Sequence, residues 1–428
     1  MRKIFLLLAL TACLLASAQK KTTALDRIAE DYVKLGLTIG QYDGDFVDAY
    51  YGPEEWKPKG GRSATFPKDS FLLAIEGLKT QLRAVRNDGR YSQEQKGRAR
   101  WINDQLTAFG RRVRIFSGET SSFETECREL FGIVPPQYDE AHFQKLIARL
   151  DRMLPGSGPV AERYNRLASR FIIPNDRLDT VFRAAIAESR GRTLRHYTLP
   201  KNEDFRLEFV KDKPWTGYNW YKGDFQSVIQ LNTDRTMYID RAIDVASHES
   251  YPGHHVYNAM LEQQLYRQKG WAEICLYPLF SPQSFIAEGS ANYGIDVVFP
   301  GREKIRVATK LLRLAGLDTA GIALYFDALE LFRQLNYARN EAARGWINGT
   351  LTEEEATAYL VKNGLNTESD APKNMRFIKG YRSYVINYNY GLDLVKKNVE
   401  KRGGKDPAKR WSVFRTILTQ QVRPAELK

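Results

Sequence analysis

The chain has 428 residues, with 64 Lys and Arg against 51 Asp and Glu, a formal net charge of +13, and 43% hydrophobic and 12% aromatic residues. That apolar content excludes a disordered chain, and three cysteines are too few for a disulfide-built scaffold. The length exceeds the needs of one small core, so a large domain or two closely joined lobes is expected.

At the start, Arg2 and Lys3 precede an apolar run from Ile4 to Ala16, and Ala16-Ser17-Ala18 supplies small residues for cleavage before Gln19. This pattern predicts a signal peptide over 1–18 and a periplasmic or secreted protein. Leu10-Thr11-Ala12-Cys13 also resembles a lipobox, so a lipid anchor on Cys13 is the alternative. The apolar Leu14-Leu15 after the cysteine favour plain secretion. No later run reaches membrane-spanning length, so no integral membrane span is expected. Cleavage lowers the net charge to about +11. The basic residues are scattered, and their densest stretch, Lys396 to Arg410, is interrupted by Glu400 and Asp406. It reads as a solvated face, and no nucleic-acid partner is expected. Export makes a Cys127–Cys275 disulfide chemically possible; two buried thiols are the other reading.

From Ala24 to about Tyr197 the pattern is helical. Ile28, Tyr32, Leu35 and Ile39 recur at helical spacing. Ser70–Val85, Arg98–Phe116, Asp139–Leu154 and Leu178–Arg190 read as further amphipathic helices, separated by Gly and Pro clusters such as Pro135-Pro136. Residues 19–200 therefore read as an N-terminal helical lobe. Between Phe205 and Asp240 aromatic and β-branched residues dominate, which predicts one small antiparallel sheet with turns at Gly217 and Gly223. Helices resume from Ala242. Arg302–Asn348 holds one or two long ones, Glu353–Val361 a shorter one, and Asn374–Val399 and Arg410–Gln421 complete the chain. The fold class is mostly α, with residues 201–428 forming the sheet and a second helical lobe. The two lobes are expected to make one compact unit around a cleft.

Only five histidines occur, and three of them fall within His248-Glu249-Ser250-Tyr251-Pro252-Gly253-His254-His255. A glutamate directly after a histidine opens the zinc-peptidase signature, in which two histidines one helical turn apart bind zinc and the glutamate acts as base. Here position i+4 is Pro252. In a regular helix His254 would stand about 9 Å along the axis and roughly 120° away, and His255 about 10.5 Å along. Neither could share an ion with His248 at the roughly 2.0–2.1 Å of a Zn–N bond unless the helix bulges or breaks. Pro252 and Gly253 are the residues such a distortion would use. An ordinary turn with surface histidines is the competing reading.

A catalytic zinc commonly takes three protein ligands, often a glutamate from a following helix. Glu288 fits, lying in Phe285-Ile286-Ala287-Glu288-Gly289-Ser290-Ala291-Asn292 within an otherwise uncharged stretch. The small residues around it would let this helix pack closely on the histidine helix. Asn292, at i+4, is a candidate to orient it. A salt bridge or helix cap is the structural alternative for Glu288.

His-Glu-x-x-Pro-Gly-His, followed by a Glu-Gly helix with a tyrosine, resembles the bacterial family called domain of unknown function 885. That family looks like a distant relative of the helical zinc metallopeptidases, such as the carboxypeptidase Taq and oligopeptidase groups. The resemblance implies a zincin-like (gluzincin) fold with the sheet ahead of the metal-binding helix. It implies one Zn²⁺ on His248, His254 and Glu288, with Glu249 as the base. Tyr388-Asn389-Tyr390-Gly391 looks like the family's C-terminal Tyr-x-x-Gly. Tyr257 and Ser290 depart from the family's usual glutamine and tryptophan, and His255 is an extra histidine that competes with His254 as ligand.

The chemistry expected is attack of metal-activated water on a carbonyl, with Glu249 moving the proton and Tyr388, or secondarily Tyr390, hydrogen-bonding the developing oxyanion. Simple packing of a tyrosine-rich helix is the other reading of both. The strand from Ser227 to Thr233, with Asn232, occupies the place of the substrate-holding sheet edge in related peptidases. Arg235 and Arg382 are candidates for gripping a terminal carboxylate. The function expected is a zinc-dependent peptidase acting on short peptides. The alternatives are a zinc hydrolase of a non-peptide amide and a non-catalytic helical binding protein with a structural metal.

Overall fold

The computed structural model describes residues 23–213 and 215–428. The expected signal peptide, its cleavage point and Cys13 lie outside the described residues. The fold is mostly α with two small sheets. None of its helices is long and apolar enough to cross a membrane among the described residues.

The long amphipathic stretches form helices close to where their periodicity places them: Ala24–Gly40, Lys68–Asn87, Gln93–Phe116, Glu140–Met153 and Leu178–Thr193. Local chemistry sets several starts. Thr23, Ser92 and Thr352 each close a capping box, the side chain accepting from the backbone three residues on while that residue's side chain accepts from the cap. Arg302–Asn348 divides into three helices, Glu303–Leu314, Ile322–Leu335 and Tyr337–Ile347. Asn374–Val399 is broken in two at Arg382, which sits at φ 52° between Ala371–Tyr381 and Ile386–Gly403.

The three-stranded sheet differs from the all-antiparallel expectation. Gly217–Gly223 and Gln226–Asn232 form a hairpin, and its turn carries positive φ at Gly223, Asp224 and Phe225. Asp204–Val210 then pairs in parallel with the other edge of Gln226–Asn232. The strand expected at the edge is therefore the central one, and Gly217 opens a strand instead of making a turn. A second sheet pairs Val47–Tyr50 antiparallel with Leu276–Pro278. It ties the first lobe to the segment entering the helix Pro282–Val298.

That helix is the axis of the molecule. It is apolar nearly all round and buried along most of its length, as a central helix should be. Gly289 explains one approach: a Cβ there would lie 2.5 Å from the carbonyl oxygen of Gly391 on the helix Ile386–Gly403. Farther along, Gly294 abuts the ring of Pro252, so the small residues serve two neighbours. One apolar cluster runs from Leu25 to Leu427 and joins both lobes.

Candidate metal centre

The histidine segment starts as the helix Ile239–Val245, widens into a π turn over Ala246–Ser250, and leaves helical geometry at Tyr251. A new helix, His254–Leu261, begins at the second histidine. The chain folds back so tightly that a Cβ on Gly253 would lie 1.9 Å from the carbonyl oxygen of His248 and 2.3 Å from that of Ser247. Only glycine fits there. This break brings His254 round to His248, with ring centroids 4.7 Å apart and Nε2 atoms 3.1 Å apart.

Glu288 arrives from the central helix. Its Oε2 is 3.4 Å from His248 Nε2 and its Oε1 is 3.8 Å from His254 Nε2. Two ligand atoms on one tetrahedral ion, each at roughly 2.0–2.1 Å, lie about 3.4 Å apart. The observed separations, taken to the nearer Glu288 oxygen for each histidine, lie around that edge length. One ligand atom from each residue lies within 4.8 Å of the others. Glu288 Oε2 is buried without a hydrogen-bond partner, while Oε1 accepts from the Tyr384 hydroxyl at 3.1 Å. Tyr384 in turn accepts from Ser284 Oγ at 3.2 Å. A buried carboxylate that turns an orphaned oxygen to His248 and its other oxygen toward His254 fits a divalent cation of the zinc type.

The electrostatics of this corner set its titratable groups apart. Burial opposes ionisation of His248, yet Glu249 and Glu288 outweigh it and raise its pKa to about 9. Burial, with His248 beside it, lowers His254 to about 4, against the pull of Glu288. Burial and neighbouring Glu288 push Glu249 up to about 7, although His248 works the other way. A carboxylate poised there is matched to proton transfer at neutral pH. Glu249 Oε1 lies 4.0 Å from His248 Nε2. All these groups line a cavity of about 710 Å³.

Tyr388 lines the same cavity, and its hydroxyl makes no hydrogen bond among the described residues. Burial and Glu288 push its pKa well up, so it remains a donor. Tyr390 packs on Phe285 instead. His255 is fully buried, its Nδ1 2.8 Å from Ser227 Oγ and its Nε2 2.9 Å from Glu203 Oε2. Both nitrogens are engaged, so the geometry favours His254 over His255 as the second ligand. Asn292 bonds the backbone carbonyl of Glu288, not its carboxylate.

The three substrate-binding candidates are not brought to the cavity. Asn232 is buried and pins a loop, donating to the carbonyls of Lys213 and Trp215. Arg382 clamps the buried Glu126 with two nitrogens and stacks over Trp346. Arg235 also lies outside the lining, with Asp370 in its electrostatic neighbourhood. Cys127 and Cys275 are both buried and unpaired. Sequence reasoning missed Asp48, Tyr384 and Arg339. Asp48 comes from a four-residue strand, too short to show a period, and bonds the Tyr218 hydroxyl at the cavity wall. Tyr384 did carry a signal, lying one helical turn before Tyr388.

No family model matches this chain, and no curated protein matches it. Among solved structures, the chain is similar to a provisionally named lipoprotein of Colwellia psychrerythraea, with a TM-score of 0.52 and 16% identity, over 84% of this chain and 68% of that one. A provisionally named lipoprotein of unknown function from Shewanella oneidensis aligns at a TM-score of 0.46 and 13% identity, over 84% and 71%. The first likeness concerns the fold alone.

Proposed function

We propose that this chain is an exported zinc-dependent peptidase of short peptides, related to the helical gluzincin-like peptidases. The observation that carries the reading is the convergence of His248, His254 and Glu288, one of whose carboxylate oxygens has no hydrogen-bond partner, with Glu249 beside them in one cavity. His248, His254 and Glu288 would hold the ion, which when bound supplies an acidified water and polarises a carbonyl. Glu249 accepts a proton at its carboxylate and returns it to the leaving amine, for which a pKa near neutrality suits it. Tyr388 donates from its hydroxyl to the oxygen that gains negative charge. Tyr384 holds Glu288 in place through Oε1.

The substrate backbone is assigned to the edge of Gly217–Asn219. This strand pairs on one side only among the described residues, and its Gly217 lies next to Glu249. A peptide adding there would use main-chain hydrogen bonds. Export rests on the N-terminal pattern of Arg2 to Ala18.

The test is paired. Zinc content and hydrolysis of a peptide library are measured for the wild type and for Glu249→Gln. One zinc per chain in both, with hydrolysis lost by about 100-fold or more in the variant, is the expected result. A wild type that takes no zinc from a buffered zinc solution sinks the reading. Zinc without peptide hydrolysis, but with turnover of simple amides, moves the assignment to a non-peptide amide.

A further inference from the structure

Four cationic side chains line the cavity: Arg241, Lys304, Arg333 and Arg339. Three have carboxylate partners. Arg241 pairs with Asp244, Lys304 with Asp296, and Arg333 with Glu330 at 2.6 Å. Arg339 has none among the described residues. Its guanidinium sits over the Phe377 ring, 5.8 Å from the centroid, where burial works against its charge and the Tyr388 phenol only partly offsets that. A half-buried guanidinium without an acid is costly to keep unless something anionic comes to it.

Its position relative to the metal ligands can be followed through side chains. Tyr384 bonds Glu288 and packs 5.7 Å from Tyr388; Tyr388 lies 6.2 Å from Phe377; and Phe377 carries Arg339. An aromatic wall thus runs from the metal site to the unpaired cation. Asn336, three residues before Arg339, lines the same wall and adds an amide. Behind them a recess of about 300 Å³ shares Asn336 and Arg339 with the main cavity and leaves room for a side chain.

We propose that Arg339 is the specificity-determining residue of this site, recognising a free carboxylate on a short peptide whose scissile carbonyl lies at His248, His254 and Glu288. The proposal rests on the hydrolase reading and narrows it to substrates ending in a C-terminal carboxylate. A planar guanidinium matches a carboxylate with two parallel hydrogen bonds, and the apolar rings beside it strengthen them by excluding water. It also replaces the sequence-based candidates Arg235 and Arg382, neither of which reaches the cavity.

The test uses N-acetyl tripeptides prepared in pairs, as free acids and as C-terminal amides, against the full chain. Capture of each pair on zinc-loaded Glu249→Gln is read by mass spectrometry. Hydrolysis of the same pairs by the wild type is read as kcat/KM. Acids held about 10- to 100-fold more tightly than amides support the proposal. That ratio should fall close to one when Arg339→Met or Arg339→Gln is added, and Arg339→Lys should restore part of it. Equal capture of acids and amides, or no capture of acids, overturns it, as does a ratio that survives loss of Arg339. The capture arm needs no turnover, so a failure of hydrolysis alone would fall on the peptidase reading and not on Arg339. Should the neutral Arg339 variants fail to fold, equal capture of acids and amides by Glu249→Gln still overturns the proposal, and the partial loss expected of Arg339→Lys ties the preference to this residue.

Discussion

His254 and His255 are chain neighbours with opposite roles. A helix turns about 100° per residue, so when His254 faces Glu288, His255 must face the other side. There it meets Ser227 and Glu203, and Glu203 is further held by Arg190 at 2.5 Å and by the Tyr251 hydroxyl at 2.7 Å. His254→Ala should therefore lower zinc affinity by about 100-fold or more while changing the melt of the metal-free chain little. His255→Ala should keep one zinc but cost about 1–3 kcal/mol of stability, because it takes a buried hydrogen-bond partner from both Glu203 and Ser227 while Arg190 and Tyr251 still hold the carboxylate. Metal analysis and urea unfolding of the two variants separate these outcomes; zinc loss in both would return His255 to the ligand set. Glu203 also carries a pH signature. Burial raises its pKa, but His255, Tyr251 and Arg190 outweigh that and hold it below its ordinary 4.5. A folded-state pKa below the unfolded one stabilises the fold above the unfolded value and loses that stabilisation as pH falls through the folded value. The urea midpoint should drop as pH goes from about 5 towards 3, and Glu203→Gln should flatten the drop. An unchanged slope in that variant would assign the acid sensitivity to other carboxylates.

At the scale of elements, the interrupted histidine helix shows what the chain reveals and what it conceals. Residue types alone show that His248 and His254 cannot meet on a regular helix, and Pro252-Gly253 marks where the break must come. They do not show that the break is a π turn followed by an extended residue, because that depends on Gly294 of the central helix packing under Pro252. The long helices were readable because a 3.6-residue period persists for several turns. Strand order was not, since a parallel pairing between Asp204–Val210 and Gln226–Asn232 leaves no local mark. Nor was the break at Arg382, where a bulky residue takes a positive φ while its side chain is held by Glu126. The close approach at Gly253 gives a sharp expectation. Gly253→Ala must push the carbonyls of Ser247 and His248 away, so it should cost at least about 2 kcal/mol and abolish zinc binding. Gly77→Ala, in a helix with nothing within 4 Å of the new methyl, should instead stabilise by about 0.5–1 kcal/mol. Denaturant midpoints of the two, with zinc content, check the contrast; a Gly253→Ala chain that still binds zinc would mean that the fold-back can relax without dispersing the ligands.

At the scale of the whole molecule, residues 19–200 and 201–428 are tied together by contacts that cross from one lobe to the other. Val47–Tyr50 pairs with Leu276–Pro278, Arg98 is clamped to the buried Glu273 at 2.8 Å, and Asp48 reaches the cavity wall from the first half. Each of these crosses the proposed boundary, and one apolar cluster spans both sides of it. A chain built this way has no cut that leaves two complete cores. Calorimetry of the full chain should accordingly show a single unfolding transition whose calorimetric and van't Hoff enthalpies agree. Saturating zinc at about 100 times its Kd should raise the stability of that one transition by about 2.7 kcal/mol. Residues 201–428 expressed alone should fail to reach a cooperative fold, because removing the first half exposes the face of Pro282–Val298 that packs on Gln93–Phe116. Two separable transitions, or a folded and zinc-binding C-terminal fragment, would show that the metal centre stands on its own lobe. The first half would then be a cover for the cavity and no longer part of the frame that holds Glu288 against the two histidines.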